Sequence, residues 1–152
     1  MYTIAYRFMK NSHDAEDAMQ EAFIKAFKKI DSFKGEVTFG AWLKKIVIHT
    51  SIDMLKSVKL DFADVDENYL KVVSDDNWEV DDQISIEEVK SAISQLPQKY
   101  ELVLSLFLIE GYDHSEISLI LDITEVNSRT QLLRGKKKLK ESLKQISYGT
   151  GY

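Results

Sequence analysis

EGYDHSEISLILDITEVNSRTQLLRGKKKLKESLK, from Glu110 to Lys144, is the stretch on which the fold turns. It reads as a short helix, a tight turn and a long second helix. Asp113 followed by Glu116 is a capping-box pattern, in which each side chain takes up the other's free backbone N–H. Ile117, Ile120 and Leu121 make the apolar stripe behind it, which stops at Asp122. Aspartate accepts the left-handed backbone of a tight turn, as few residues besides glycine do, and Thr124 can cap a new helix. That second helix carries Val126, Leu132, Leu139, Leu143 and Ile146 inward at helical spacing. Its outer face is expected to show Asn127, Ser128, Arg129, Gln131, Arg134, Lys136, Lys137 and Lys140. Two helices on a turn of three or four residues, the second polar and basic outside, is the helix-turn-helix layout. A lysine-rich solvated face also occurs in helical hairpins that never touch DNA. The order along the helix favours DNA: short hydrogen-bonding residues lead, where a helix enters the major groove, and lysines follow, where it leaves over phosphates.

Composition narrows the field. The chain has 152 residues, enough for one domain or two small ones, and a single proline among six glycines suits helices. It has no cysteine, which excludes disulfides, thiolate metal sites and cysteine nucleophiles together. No apolar run approaches the ~18 residues of a membrane span, and the N-terminus lacks a signal-peptide layout, so no membrane insertion and a soluble, cytoplasmic protein are expected. A net charge of -5 looks wrong for a nucleic-acid binder, but the charge is segregated. Acid gathers between Asp61 and Asp82, base between Arg129 and Lys144, and local field rather than total charge governs phosphate contact.

Taken in order, the chain opens inside a helical pattern, with Ile4, Phe8 and Met9 on one face and no cap before it. Asn11-Ser12 is a break, and Ser12 is the expected cap of the next helix, with Asp14 and Glu16 in its first turn. That helix is expected to turn Ala15, Ala18, Met19, Ala22, Phe23, Ala26, Phe27 and Ile30 inward; its opposite face offers Asp14, Asp17, Gln20, Glu21, Lys25 and Lys28. DSFKGEVT (31–38) is a loop ending in a cap at Thr38, and Phe39, Trp42, Leu43, Ile46, Val47 and Leu55 are the apolar set of a third helix. Aromatics beside Lys44, Lys45 and His49 could serve single-stranded nucleic acid, as platforms for bases and cations for the backbone, or simply be core. The acidic stretch that follows, with little periodicity, reads as an extended linker. Ser85 with Glu88 opens the second module as another capping box. Ile86, Val89, Ile93 and Leu96 come next, then Pro97 in a first helical turn, and Tyr100, Val103, Leu104, Phe107 and Leu108 form an inward stripe ended by Gly111.

Catalytic machinery does not assemble. His13, His49 and His114 lie far apart, with no second ligand read at three or four residues, so no metal site is expected. There is no nucleophile elbow or phosphate-binding glycine loop, and the GTG near the C-terminus has no helix after it; no catalysis and no cofactor are expected.

Two long stretches resemble a known family. AYRFMKNSHDAEDAMQEAFIKAFKKIDSFKGEVTFGAWLKKIVIHTSIDMLK resembles region 2 of the bacterial extracytoplasmic-function (ECF) sigma factors, of the sigma-70 family. LPQKYELVLSLFLIEGYDHSEISLILDITEVNSRTQLLRGKKKL resembles their region 4. DAEDAMQEAF and the series LP…EG…SEI…LRGKKKL are specific in combination. The resemblance implies a dissociable subunit of core RNA polymerase that confers promoter choice, with promoter DNA and an anti-sigma factor as its other partners. It places Asp14, Asp17, Gln20, Glu21 and Phe23 on the helix that docks on the polymerase clamp. Phe33, Lys34, Phe39, Trp42, Lys45 and His49 fall where the family opens and captures the −10 element. Thr124, Glu125, Asn127, Ser128, Arg129, Gln131 and Arg134 fall on the reader of the −35 element, with Lys136, Lys137 and Lys138 as phosphate anchors. Three departures stand out. The family has a helix ahead of MYTIAYRF, so the region 2 bundle is expected to be short of one wall; His49 stands where asparagine is common; Asp122 and Ser118 replace a turn glycine and a small alanine.

The expected architecture is all-α, with two small helical domains: an N-terminally shortened region 2 over 1–57 and a region 4 helix-turn-helix over 85–146. An acidic flexible linker over 58–84 joins them, and 147–152 form a tail. The expected function is that of a sigma factor acting through −10 and −35 recognition. The rivals are a stand-alone helix-turn-helix transcriptional regulator and a helical scaffold without nucleic acid.

Overall fold

The computed structural model describes residues 1–57 and 84–149, the last four of these for backbone only. The expected acidic linker lies outside the described residues except for Ile84, as do the end of the tail and the side chain of Ile146. Every regular element among the described residues is helical. The chain divides into two compact units, 1–60 and 61–152.

In the first unit α1 (Tyr2–Met9), α2 (Ser12–Lys28) and α3 (Phe39–Lys56) each pack on the other two, with a short 3-10 turn (Ile30–Ser32) after α2. The cap of α2 is Asn11, not Ser12: Asp14 donates its backbone N–H to Asn11 Oδ1 at 2.7 Å. Lys10 ends α1 in the left-handed region, which leaves Asn11 extended and its short amide aimed at the new helix; Ser12 is already helical. Thr38 caps α3 as expected, its hydroxyl accepting from the N–H of Ala41 at 3.2 Å.

The buried face of α2 is a ridge of Ala15, Ala18, Ala22 and Ala26, set against Ala5 of α1 and Val47 of α3. Side chains this small let three backbones approach closely, and that corrects one expectation. Phe23, Phe27 and Ile30 were expected inward; they are 38%, 77% and 45% exposed. Phe23 and Phe27 each follow a ridge alanine by one residue, about 100° round the helix, out of the contact with α1 and α3. The stripe of α3 also differs. Leu43, Val47, Ile48, Thr50, Ser51 and Ile52 are buried, whereas Phe39 is exposed and Trp42, Ile46 and Leu55 are half-buried.

In the second unit α4 (Ile86–Ser94), α5 (Gln98–Leu104) and α6 (His114–Leu121) all pack against α7 (Glu125–Gly149). Ser85 caps α4, and Pro97 sits at the N-cap of α5, one place ahead of its expected position. α5 runs on into a π-helical turn, Ser105–Ile109. The wider turn advances the register, so Leu106 is buried while Phe107 is half-buried and Leu108, expected inward, is exposed. Ile93, Val103, Leu104, Leu106, Ile117, Leu139 and Leu143 build the core. Replacing fully buried Leu139 by alanine costs about 2–5 kcal/mol by the usual large-to-small rule. α7 continues to Gly149, into the segment expected as a tail.

Candidate nucleic-acid interface

The helix-turn-helix is held by local hydrogen bonds at each joint. Glu116 N–H donates to Asp113 Oδ1 at 2.8 Å and Asp113 N–H to Glu116 Oε1 at 3.3 Å, the reciprocal box that opens α6. Asp122 closes it in the left-handed region, at φ 57 and ψ 49. Two residues later Thr124 caps α7: its Oγ1 accepts from Asn127 N–H at 3.0 Å and its carbonyl from Ser128 N–H at 3.0 Å. A turn closed at both ends fixes where α7 begins.

Its rotation about its own axis is set elsewhere. Leu132, Leu139 and Leu143 face inward as expected, and Val126 is half-buried. Ser128 and Gln131 were expected outside with the DNA-reading residues; both are fully buried. Ser128, Gln131, Leu132, Gly135, Leu139 and Leu143 follow one another at one-, three- and four-residue steps along one inward stripe, and Thr130, off that stripe, is fully buried as well. The reason for small and polar residues in the first half of the stripe is proximity. A Cβ on Gly135 would lie 3.0 Å from Leu104 Cδ1 and 3.2 Å from Tyr100 Cβ, so α5 crosses α7 with no room for a side chain there. Earlier along α7, Gln131 donates to Asn127 Oδ1 at 3.1 Å, and Ser128 Oγ lies 2.8 Å from Nδ1 of His114 on α6.

Outside remain Thr124, Glu125, Arg129, Lys137 and Lys138, with Asn127, Arg134 and Lys136 half-buried. Arg129 reaches Glu125 at 3.5 Å along the exposed face, a pair that solvent screens and a phosphate or base edge can break cheaply. Lys138 lies over the ring of Tyr100 at 5.5 Å and Lys136 over that of Phe107 at 5.9 Å, so aromatic faces from the supporting helix hold two of the cations near the surface.

In the first unit the loop and the start of α3 gather three aromatics. Phe33 meets Phe39 edge-on at 5.7 Å and Trp42 at 5.4 Å, and Phe39 and Trp42 are 5.7 Å apart. Phe39 is 49% exposed and Val37 beside it 54%, so the cluster is open to one side rather than closed as core. Lys34 and Lys45 are exposed; His49, one turn beyond Lys45, is half-buried. Burial, and then the charge of Lys45, hold the His49 imidazole below its ordinary proton affinity, so it is neutral at pH 7. Its Nε2 is buried without a protein partner.

On α2, Asp17, Gln20, Glu21 and Phe23 are exposed, and Asp14 is half-buried against the cap, accepting from Asn11 Nδ2 at 2.6 Å. His13 does have a neighbour four residues on: its Nε2 lies 3.6 Å from Asp17 Oδ2, and the ligand atoms of His13, Asp14 and Asp17 fall within 4.8 Å of one another. His13 and Asp17 are exposed and Asp14 half-buried, and nothing further marks a metal centre there.

Two helical units, one with an open aromatic cluster and one with a helix-turn-helix that leaves cations outside, define the class: an all-α protein with the layout of a DNA-binding helix-turn-helix. Comparison with known proteins agrees. Sigma-70 region 2 matches residues 1–60 and Sigma-70 region 4 matches residues 86–139. The ECF RNA polymerase sigma factor SigW of Bacillus subtilis is 33% identical over 157 residues, spanning 96% of this chain and 84% of that protein. SigE of Mycolicibacterium smegmatis is 30% identical over 99% of this chain, which spans 60% of that relative's length. The solved sigma factor RpoE of Bartonella quintana, in complex with the anti-sigma factor NepR, superposes with a TM-score of 0.58 at 19% identity, covering 94% of this chain and 89% of its own. The chain belongs to the ECF sigma factors of the sigma-70 family.

Proposed function

We propose that this chain, as a sigma factor, joins bacterial core RNA polymerase and directs it to promoters, with the two units dividing the work. The exposed side of α2, with Asp14, Asp17, Gln20, Glu21 and Phe23, is the polymerase contact. Phe33, Lys34, Phe39, Trp42, Lys45 and His49 receive the opened −10 strand. Unstacking a base costs a few kcal/mol, and stacking on an open aromatic cluster offsets it. Thr124, Glu125, Asn127, Arg129 and Arg134 meet the −35 duplex, and Lys136, Lys137 and Lys138 its phosphates. Ser128 and Gln131 drop out of the base-contacting set because they are buried.

The observation that carries this is the doubly capped turn that starts α7 at Glu125 and leaves Arg129, Lys137 and Lys138 outside. The chain itself performs no catalysis; the polymerase supplies the chemistry. Its place is the cytoplasm, and among the described residues no helix is long and apolar enough to cross a membrane. An anti-sigma factor is a further partner, since the Bartonella relative is solved in complex with one.

The test is transcription in vitro with core enzyme, this chain and a promoter library. Enrichment of templates sharing two motifs at constant spacing is expected. In that system Arg129→Ala should cost about 1–3 kcal/mol on the selected template if it reads a base edge, and relax preference at one position. Lys137→Ala should weaken all templates alike and lower the salt slope by about one. Absence of association with core enzyme would end the reading.

A further inference from the structure

His114 is the first residue of α6 and Ser128 lies in the second turn of α7, fourteen residues on, yet their side chains meet at 2.8 Å. The serine is fully buried and the histidine half-buried. The imidazole face also stacks on the ring of Phe107, from the π-helical turn, at 4.8 Å with an interplanar angle of 24°. His114 is therefore held between two elements, gripping α7 by one directional bond. Apolar and backbone-mediated contacts of a helix tolerate a small rotation. A hydrogen bond does not. On a side-chain radius of about 5 Å, a rotation of α7 by roughly 10–15° carries an atom about 1 Å, enough to break a bond of ordinary length. Breaking it would strand a buried hydroxyl, which folded proteins avoid.

We propose that His114 is a positioning residue for promoter readout, its bond to Ser128 setting the rotation at which α7 offers Thr124, Glu125 and Arg129 to the duplex. This rests on the assignment of α7 as the −35 reader. The pair also ties readout to pH. The charges acting on the imidazole are Arg129, Glu125 and Lys136 on α7 and Asp113 at the cap of α6; the π-helical turn contributes no ionisable side chain. Burial, and then Arg129, hold its proton affinity below the ordinary value of 6.5. In the tautomer whose Nδ1 accepts from the serine, protonation turns Nδ1 into a donor and the hydroxyl must direct its own proton to another acceptor; in either tautomer protonation adds a cation beside Arg129 and Lys136. Acid therefore works against the docked setting of α7.

The experiment uses holoenzyme assembled from the full chain and core polymerase, and duplexes selected by that holoenzyme from a random library. Affinity for the selected duplex and for one scrambled over the −35 side is measured from pH 5.5 to 8 for four variants. Ser128→Ala and His114→Phe each remove the bond, the latter keeping a ring against Phe107; their combination completes a cycle; His114→Asn places a polar atom near the site of Nδ1 without a titrating ring. We expect each single variant to lose five- to twentyfold on the selected duplex and less than twofold on the scrambled one. The double variant should be no worse than the poorer single, and His114→Asn should recover most of the affinity. Wild type should weaken as pH falls through the lowered proton affinity of His114, beneath the ordinary 6.5, and His114→Asn should be flatter. Wild-type binding by Ser128→Ala and His114→Phe overturns the proposal, as does additive loss in the double variant or equal loss on both duplexes. Arg129→Ala separates the two levels. If it too binds like wild type, the reader assignment falls and the positioning role with it; if it loses affinity while Ser128→Ala does not, only the positioning role falls.

Discussion

Gly135→Ala isolates the energetics of the α5–α7 crossing. In a helix interior alanine is favoured over glycine by about 1 kcal/mol, so without contacts the substitution would stabilise. At Gly135 the new Cβ meets Leu104 Cδ1 at 3.0 Å, Leu104 Cγ at 3.2 Å and Tyr100 Cβ at 3.2 Å. Leu104 is fully buried and Tyr100 nearly so, so neither can swing away, and a Cβ moves only with its backbone. Overpacking of this kind costs about 1–3 kcal/mol. The sum is a net destabilisation of roughly 0–2 kcal/mol where propensity alone demands a gain. Gly40 is the internal control. It lies in the first turn of α3 and a Cβ there meets nothing within 4 Å, so Gly40→Ala should be neutral or stabilising by up to about 1 kcal/mol. Amide hydrogen exchange read peptide by peptide gives an opening free energy for each unit separately, so the two variants can be compared in the full chain. Equal stabilisation by both would refute the close crossing, and with it the reason given for Ser128 and Gln131 facing inward.

Two further outcomes follow from the caps and the histidines. Asn11→Ala should destabilise the first unit by about 1 kcal/mol, while Ser12→Ala should change it by less than half that; the reverse order, by thermal melting, would return the cap to Ser12. The proton affinity of His49 is lowered by burial and then Lys45, so the unfolded chain takes up the proton first as pH falls. Stability of the first unit is therefore full above the ordinary value of 6.5, declines as pH drops below it toward the lower folded value, and levels off beneath that. His49→Asn should remove this slope from urea midpoints taken between pH 5 and 8, and a slope unchanged in that variant would exclude His49 as its source.

Much of the structure is local chemistry and could be read without coordinates. The box at Asp113 and Glu116, the left-handed Asp122 and the caps at Thr38, Ser85 and Thr124 involve residues within three or four places of each other. Their side-chain reach is set by backbone geometry alone, and the resemblance of both modules to sigma regions 2 and 4 rests on such stretches. Which side of a helix is inside is a different kind of fact. Phe23 and Phe27 look like core by hydropathy, yet the alanine ridge beside them takes the contact because it lets α1 and α3 come closer. Ser128 and Gln131 look like surface, yet they lie on the face against which α5 crosses at Gly135. The π-helical turn moves Leu108 out and Leu106 in, a one-residue register change that no periodic pattern announces.

By itself, then, the sequence determined the caps at Thr38, Ser85, Asp113 and Thr124, that there are two helical modules, and which family they compose, because these depend on neighbours along the chain. Only the tertiary structure decided which face of α2 and α7 is turned to solvent, and that His114 and Ser128 meet. Facing is chosen by the partner helix that packs closest, and the closest packing here is made by alanine and glycine, the residues with least to show in a hydropathy pattern.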